Sequence, residues 1–170
     1  NGVVYQNGLT GNGLLELTVT RNGKFAVGEN LKINSGSKFN PIGRQQRTLL
    51  WVGGSLLIGD NVGMSSTAIV CHHRISIGNN VKIGGNVVVY DTDFHALDLD
   101  LRRSVDTDSI NAGSSPVTIC DDVFIGAHST ILKGVTIGAG AVIGACSVVS
   151  KDIPPLEVWA GNPARLVRRL

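Results

Sequence analysis

Residues 119–149 read ICDDVF, IGAHST, ILKGVT, IGAGAV, IGACSV and V, a stretch that repeats every six residues. Strands alternate faces with a period of two and α-helices repeat every 3.6 residues, so this period fits neither a long helix nor an isolated hairpin. It fits short strands joined by tight corners, with three repeats closing one triangular turn of a parallel β-helix. The inward positions are then the aliphatic residues that open each repeat, which are Ile119, Ile125, Ile131, Ile137, Ile143 and Val149.

The same register extends toward the N-terminus. Six-residue steps join Val52, Ile58, Met64 and Val70, and after one added residue they join Ile77, Ile83 and Val89. A solenoid absorbs one added residue as a bulge at a corner. Before Val52 the repeat weakens to Val27, Ile33 and Phe39, and the polar stretch 40–47 interrupts it.

These patterns predict a single domain over residues 1–170. Residues 1–24 are expected to form an irregular or strand-like N-terminal cap, and residues 25–153 the β-helix. Residues 154–170 are expected to form a short helical or extended segment. The predicted fold class is therefore all-β, a hexapeptide-repeat solenoid.

The composition agrees with a narrow aliphatic core, since 22 of 170 residues are Gly and only 5% are aromatic. A net charge of +2 is too small to favour a nucleic-acid partner, and no apolar run is long enough to insert into a membrane. Cys71, Cys120 and Cys146 are odd in number and lack Cys-x-x-Cys spacing. We therefore expect reduced thiols and a cytoplasmic protein.

Residues 90–116 break the pattern, although Val89 and Ile119 on either side are still separated by a multiple of six residues. The four positions that should be aliphatic there hold His95, Leu101, Thr107 and Gly113. We therefore predict an inserted loop, which opens with DTDFHALD at residues 91–98. Long loops inside compact domains are usually functional or disordered, and the carboxylates of this one surround a histidine. The chemistry of the protein is expected to lie in this loop.

The hexads, the DTDFHALD segment and the ending VWAGNPARLVRRL together resemble the left-handed β-helix acyltransferases over about residues 50–170. The resemblance is closest to the sugar O-acetyltransferases of the maltose, galactoside and colanic-acid type, which act in polysaccharide biosynthesis. It implies left-handed coiling, a homotrimer with active sites between subunits, acetyl-CoA as donor and no metal. The implied reaction moves an acetyl group to a hydroxyl of a sugar or glycan precursor.

In this resemblance His95 falls on the catalytic histidine of the family. An alcohol is a poor nucleophile at neutral pH, and an imidazole, which titrates near pH 6.5, can accept its proton during attack on the thioester. The same imidazolium can then protonate the leaving thiolate. Asp91 or Asp93 is expected to orient the ring and stabilise its charged form.

The resemblance also implies residues for both substrates. Ala127, Ala145, Ser150 and Lys151 would line the coenzyme A groove. Lys151, Arg165 and Arg168 would meet the phosphates, with the two arginines on one side of a short helical turn and Arg169 solvated. Trp159, Gly161 and Pro163 would pack beside the adenine. For the acceptor, Ser65 or Ser66 takes the place of an asparagine in the maltose and galactoside enzymes, and His72 is expected nearby.

Three other functions remain open. Nucleotide-sugar N-acetyltransferases share the coil and also use a loop histidine. The γ-type carbonic anhydrases bind zinc through three histidines, but their pair of histidines five residues apart does not occur among His72, His73, His95 and His128. Some hexad coils are non-catalytic scaffolds. The loop histidine and the basic ending together favour the O-acetyltransferase.

Overall fold

The computed structural model describes residues 2–40, 42 and 46–170, and residues 41 and 43–45 of the polar stretch lie outside this part. The strands are β1 Gly2–Tyr5, β2 Thr10–Asn12, β3 Glu16–Val19, β4 Lys24–Val27, β5 Lys32–Asn34, β6 Leu49–Val52, β7 Ser55–Ile58, β8 Gly63–Ser65, β9 Ala68–Cys71, β10 Arg74–Ile77, β11 Lys82–Ile83, β12 Val88–Tyr90, β13 Val117–Ile119, β14 Phe124–Ile125, β15 Thr130–Ile131, β16 Thr136–Ile137, β17 Val142–Ile143, β18 Val148–Val149, β19 Glu157–Ala160 and β20 Arg165–Arg169. The helices are α1 Leu99–Arg102, α2 Val105–Asp108 and a 3₁₀ helix, Ser109–Asn111.

Successive strands enter three sheets in turn, so the chain winds as a three-sided coil. Sheet A has the order β1-β4-β7-β10-β13-β16, sheet B the order β2-β5-β8-β11-β14-β17-β19-β20, and sheet C the order β18-β15-β12-β9-β6-β3. All pairs are parallel except β19 with β20. The predicted all-β parallel β-helix is confirmed.

The core is a stack of aliphatic side chains inside the three sheets. All six residues predicted to face inward between Ile119 and Val149 are buried there. Val70, however, was predicted wrongly. Strand β9 has four residues, and because strand residues alternate faces, Ile69 and Cys71 point inward while Val70 is half-buried on the outside.

Glycine after the aliphatic residue lets one turn approach the next. A Cβ placed on Gly126 would lie 2.5 Å from the backbone nitrogen of Ala145, and one on Gly84 would lie 2.6 Å from that of Ala127. Real Cβ contacts are not that short, so these positions require glycine. The six-residue repeat therefore reflects two requirements, an aliphatic side chain that points inward and close backbone contact between successive turns.

The coil begins earlier than predicted. Strands β1, β2 and β3 pair in parallel with β4, β5 and β6, so residues 2–19 form a first turn of the coil, and the expected irregular or strand-like cap has the strand-like form. The hexad pattern misses this turn because its apolar side chains lie at the open end of the core. Val4, Tyr5 and Leu14 there are each more than half exposed.

The C-terminal segment is extended, and the predicted helical turn is wrong. Strands β19 and β20 form an antiparallel hairpin with a register shift between Val158 and Trp159. Because of this bulge, Arg165 pairs with Ala160 and Arg168 with Val158. Directly opposed residues share a face, so the two arginines do lie on one side, through a bulge and not through a helix.

Residues 91–116 leave the coil between β12 and β13 and contain every helix of the described part of the chain. The two ends of this loop are joined by an antiparallel bridge from Thr92 to Ser114. The Asp93 N–H donates to the Gly113 carbonyl over 2.8 Å, and the Ser115 N–H donates to the Asp91 carbonyl over 2.9 Å. The loop therefore starts from a closed, hydrogen-bonded base. No helix in the described part of the chain is long and apolar enough to span a membrane.

Candidate active site

Two corners of the coil carry the predicted site residues. The corner between sheets C and A, here the C–A corner, carries the loop with His95 and also His72, Ser150 and Lys151. The corner between sheets B and C, the B–C corner, carries two of the residues predicted to line the coenzyme A groove, Ala127 and Ala145, and the predicted acceptor residues Ser65 and Ser66. Sheet C separates the two corners within one chain.

His95 is held by an aspartate that was not predicted. Its Nδ1 lies 2.6 Å from Oδ2 of Asp108, on α2, and the other carboxylate oxygen accepts from the Ala96 N–H over 2.8 Å. The hydrogen bond from His95, aided by the one from Ala96, lowers the pKa of Asp108, so this carboxylate is charged at neutral pH. An anion at Nδ1 places the proton of the neutral ring there and leaves Nε2 as the acceptor. The His95 side chain is 68% exposed, so it can meet a ligand.

Asp91 does not orient His95 as predicted. It is fully buried, and its two carboxylate oxygens accept from the backbone N–H groups of His72, His73 and Arg74 over 2.7–2.8 Å. These bonds fix the backbone of the C–A corner where β10 begins. Burial, with the charge of Asp91, raises the pKa of Cys71 to about 12, so this thiol stays protonated.

Asp93 does not contact His95 either. Its Oδ2 lies 3.3 Å from Nζ of Lys133, which stands on the following turn of the coil. A Cβ on Gly113 would come within 2.9 Å of the same oxygen, so a glycine at the other end of the loop makes room for this ion pair. Both aspartates predicted to be catalytic therefore hold the base of the loop, because their backbone is part of the corner itself.

The acceptor residues are divided between the corners. His72 lies beside the loop, with its ring stacked on Trp51 and edge-on to Phe94. Ser65 ends β8 at the other corner, and Ser66 there is buried, with a backbone φ of 46°. A buried hydroxyl cannot contact an acceptor on this surface, so the expectation for Ser66 is wrong.

The predicted donor residues are accessible except for one. Ala145, Ser150, Lys151, Gly161, Pro163, Arg165 and Arg168 are exposed, and Ala127 is half-buried. Trp159 was expected beside the adenine but is buried, because it pairs with Ile143 in sheet B and covers the end of the core. Its Nε1 donates to Glu157, and the Lys151 ammonium lies 5.1 Å from the centre of its ring.

The C-terminal hairpin is held in place beside the last turns of the coil. The Gly161 N–H donates to Oγ of Ser147 over 3.0 Å, and its carbonyl accepts from the Val148 N–H over 2.9 Å. Gly161 has a φ of 102°, a conformation that favours glycine. Arg169, expected to be solvated, is 81% exposed and also pairs with Glu157 over 3.2 Å.

Within residues 2–40, 42 and 46–170, no three His, Cys, Asp or Glu side chains are grouped closely enough to hold a metal ion. His72, His95 and His128 each have a different setting. His128 occupies the B–C corner with a φ of 63°, and its backbone N–H donates to Gly85. All three cysteines are free.

Comparison with known proteins agrees with this geometry. Residues 116–151 match the family described as bacterial transferase hexapeptide (six repeats). A galactoside O-acetyltransferase of Escherichia coli is 40% identical over 119 residues, which are 69% of this chain and 56% of that protein. The crystal structure of a maltose O-acetyltransferase from Clostridium difficile is 30% identical, with a TM-score of 0.56 over 96% of this chain and 70% of that one. This chain belongs to the hexapeptide-repeat acetyltransferases.

Its fold is the left-handed parallel β-helix of the hexapeptide-repeat acetyltransferases. Another member, from Vibrio cholerae, was solved with acetyl-CoA and is 32% identical. It aligns with a TM-score of 0.56 over 85% of this chain and 60% of that chain. This chain thus spans a little over half the length of some of its relatives.

Proposed function

We propose that this protein transfers an acetyl group from acetyl-CoA to a hydroxyl of a sugar or glycan precursor, with His95 as the base. The observation that carries the proposal is the His95–Asp108 hydrogen bond, because it holds an exposed imidazole with Nε2 free to accept a proton. Sugar O-acetyltransferases among the relatives support the substrate class.

The reaction follows from this arrangement. The acceptor hydroxyl attacks the thioester carbonyl while Nε2 of His95 takes its proton, and Asp108 stabilises the imidazolium that forms. When the tetrahedral intermediate collapses, the C–S bond breaks and the imidazolium returns the proton to the sulfur. The products are an O-acetyl sugar and free coenzyme A. A base placed in this way typically contributes about 10²- to 10⁴-fold.

The donor is proposed to lie along two small residues, the half-buried Ala127 and the exposed Ala145. Small side chains let an extended pantetheine arm approach the backbone and hydrogen-bond like an added strand. Lys151, Arg165 and Arg168 would meet the phosphates. The shared face of the two arginines on β20 supports this role.

The site is proposed to form between chains of a homotrimer. Sheet C separates His95 from Ala127 and Ala145 within one chain, so a neighbouring chain would bring the two corners together. The outer face of sheet C supports such contact, because its half-buried positions are mostly apolar and include Leu49, Ala68, Val70, Val88 and Val148. Residues 154–170 would then act as the coenzyme A-binding segment beyond the coil.

Replacing His95 by alanine tests the proposal. Transfer of the acetyl group, followed as release of free thiol, should fall by at least about 10². Acetyl-CoA binding, measured by calorimetric titration, should stay near one site per chain, since His95 meets only the sulfur end of the donor and the proposed groove and basic residues hold the rest. Full activity in His95→Ala, or no donor binding by the wild-type protein, would contradict the proposed function.

A further inference from the structure

Four aromatic side chains lie together on the outside of the C–A corner, next to His95. The rings of Trp51 and His72 are stacked, with centroids 4.4 Å apart and planes inclined by 29°. Phe94 stands edge-on to His72, at 6.1 Å and 77°, and edge-on to Tyr90, at 5.3 Å and 62°. This aromatic cluster therefore joins sheet C to the residue that immediately precedes His95 in the chain.

The backbone around the cluster is shaped to hold it. A Cβ on Gly53 would lie 2.7 Å from the Trp51 ring, so the glycine leaves room for the indole in this position. Asp91 fixes the His72 backbone through its N–H. Phe94 has a φ of 65°, a conformation that is rare for bulky residues and that is often found at functional sites.

The cluster does not belong to the core. His72 is exposed, Phe94 is 40% exposed, and Trp51 and Tyr90 are half-buried outside sheet C. Trp51 and Tyr90 flank Val70 on the outer face of sheet C, which is proposed to meet a neighbouring chain, so the strained backbone of Phe94 holds its ring beside the cleft between chains. Flat aromatic surface beside polar groups is typical of small-molecule sites.

We propose that the aromatic cluster is the acceptor platform, on which a sugar ring packs its apolar C–H face against Trp51 and His72. This inference rests on the proposed function and adds to it a specificity-determining residue, Trp51. A sugar has apolar C–H faces and a polar rim of hydroxyls, so packing on the cluster leaves the rim free. Since Phe94 adjoins His95, one hydroxyl of a ring held there can reach the base. Acceptors without a six-membered ring, such as a free amino acid, would not be held.

The competing role is structural, with the cluster serving only to fasten the loop. The two roles differ in kinetics. A platform lowers the KM for the acceptor, whereas a fastener positions His95 and changes kcat. Replacing Trp51 separates them, because Trp51 stacks on His72, whereas His72 is the ring that stands against Phe94 of the loop.

The test uses the whole chain, acetyl-CoA, and maltose and a methyl galactoside as sugar probes. Trp51→Ala should raise the KM of the acceptor by about tenfold with kcat little changed, and Trp51→Phe should restore most of the loss. Phe124→Ala, which removes an exposed aromatic ring from the outer face of sheet B, is the matched control and should leave KM unchanged. Calorimetric titration should give the same acetyl-CoA affinity for all four proteins.

Fluorescence gives a second readout, because the chain has two tryptophans, Trp51 and Trp159. The sugar probe should change the emission of the wild-type protein but not that of Trp51→Phe. A loss of kcat without a change in KM would overturn the platform, as would acetyl-CoA binding without any response to either sugar. Failure to bind acetyl-CoA would instead overturn the proposed function.

Discussion

At the scale of single residues, the chemistry depends on which carboxylate holds His95. We expect Asp108→Asn to lower kcat by about 10²- to 10⁴-fold, because an amide can donate to Nδ1 and so favour the tautomer whose Nε2 is already protonated. Thiol release with acetyl-CoA and a sugar acceptor measures this effect. Asp106→Asn, an exposed aspartate on the same helix, is the control. Equal rates for the two variants would show that Asp108 does not position the ring.

The His95–Asp108 pair should make the stability of the loop depend on pH. The pKa of Asp108 is lowered from its ordinary 3.8, so the folded protein favours the carboxylate more than the unfolded chain does. Its contribution is present above pH 3.8 and is lost as the pH falls through the lowered pKa. The urea midpoint of the wild-type protein should therefore exceed that of Asp108→Asn at about pH 6, and the difference should shrink as the pH falls below 3.8. A difference that grows in acid would contradict this assignment.

At the scale of elements, Asp91 acts on the corner that begins β10. Asp91→Ala removes the acceptor for three backbone N–H groups and should lower the free energy of unfolding by about 3 kcal/mol. Urea denaturation measures this change, and Asp91→Asn, which keeps one oxygen, should lose less. Because Asp91 does not touch His95, kcat per folded molecule should stay near wild type in Asp91→Asn. A large loss of kcat without loss of stability would return Asp91 to the catalytic role.

The sequence predicted these elements unevenly, for physical reasons. Ile119 to Val149 could be placed because a narrow core requires an aliphatic residue at every inward position, and the spacing records that requirement. Asp108 could not be placed, because its contact with His95 depends on the path of the twelve loop residues between them and on no repeat. The two arginines at 165 and 168 have a spacing of three that suits a helical turn and a bulged strand equally well.

At the scale of the whole molecule, the active site should require two chains. His95→Ala lacks the base, and Ala145→Trp should block the donor at an exposed position without disturbing the core. Each variant alone should be inactive. If the base of one chain serves the donor corner of its neighbour, an equal mixture refolded together should regain about a quarter of the wild-type activity, because half the bases and half the donor corners are intact.

Thiol release in the refolded mixture checks this prediction, with light scattering to confirm an assembly of three chains. Simply mixing the two assembled variants without refolding is the control, since chains that do not exchange cannot complement each other. A site built within one chain would leave the refolded mixture inactive, because no chain in it carries both intact parts. Recovery would therefore explain why the site residues are divided between the B–C and C–A corners. Sheet C holds the two halves of the site apart in one chain, and a second chain brings them together.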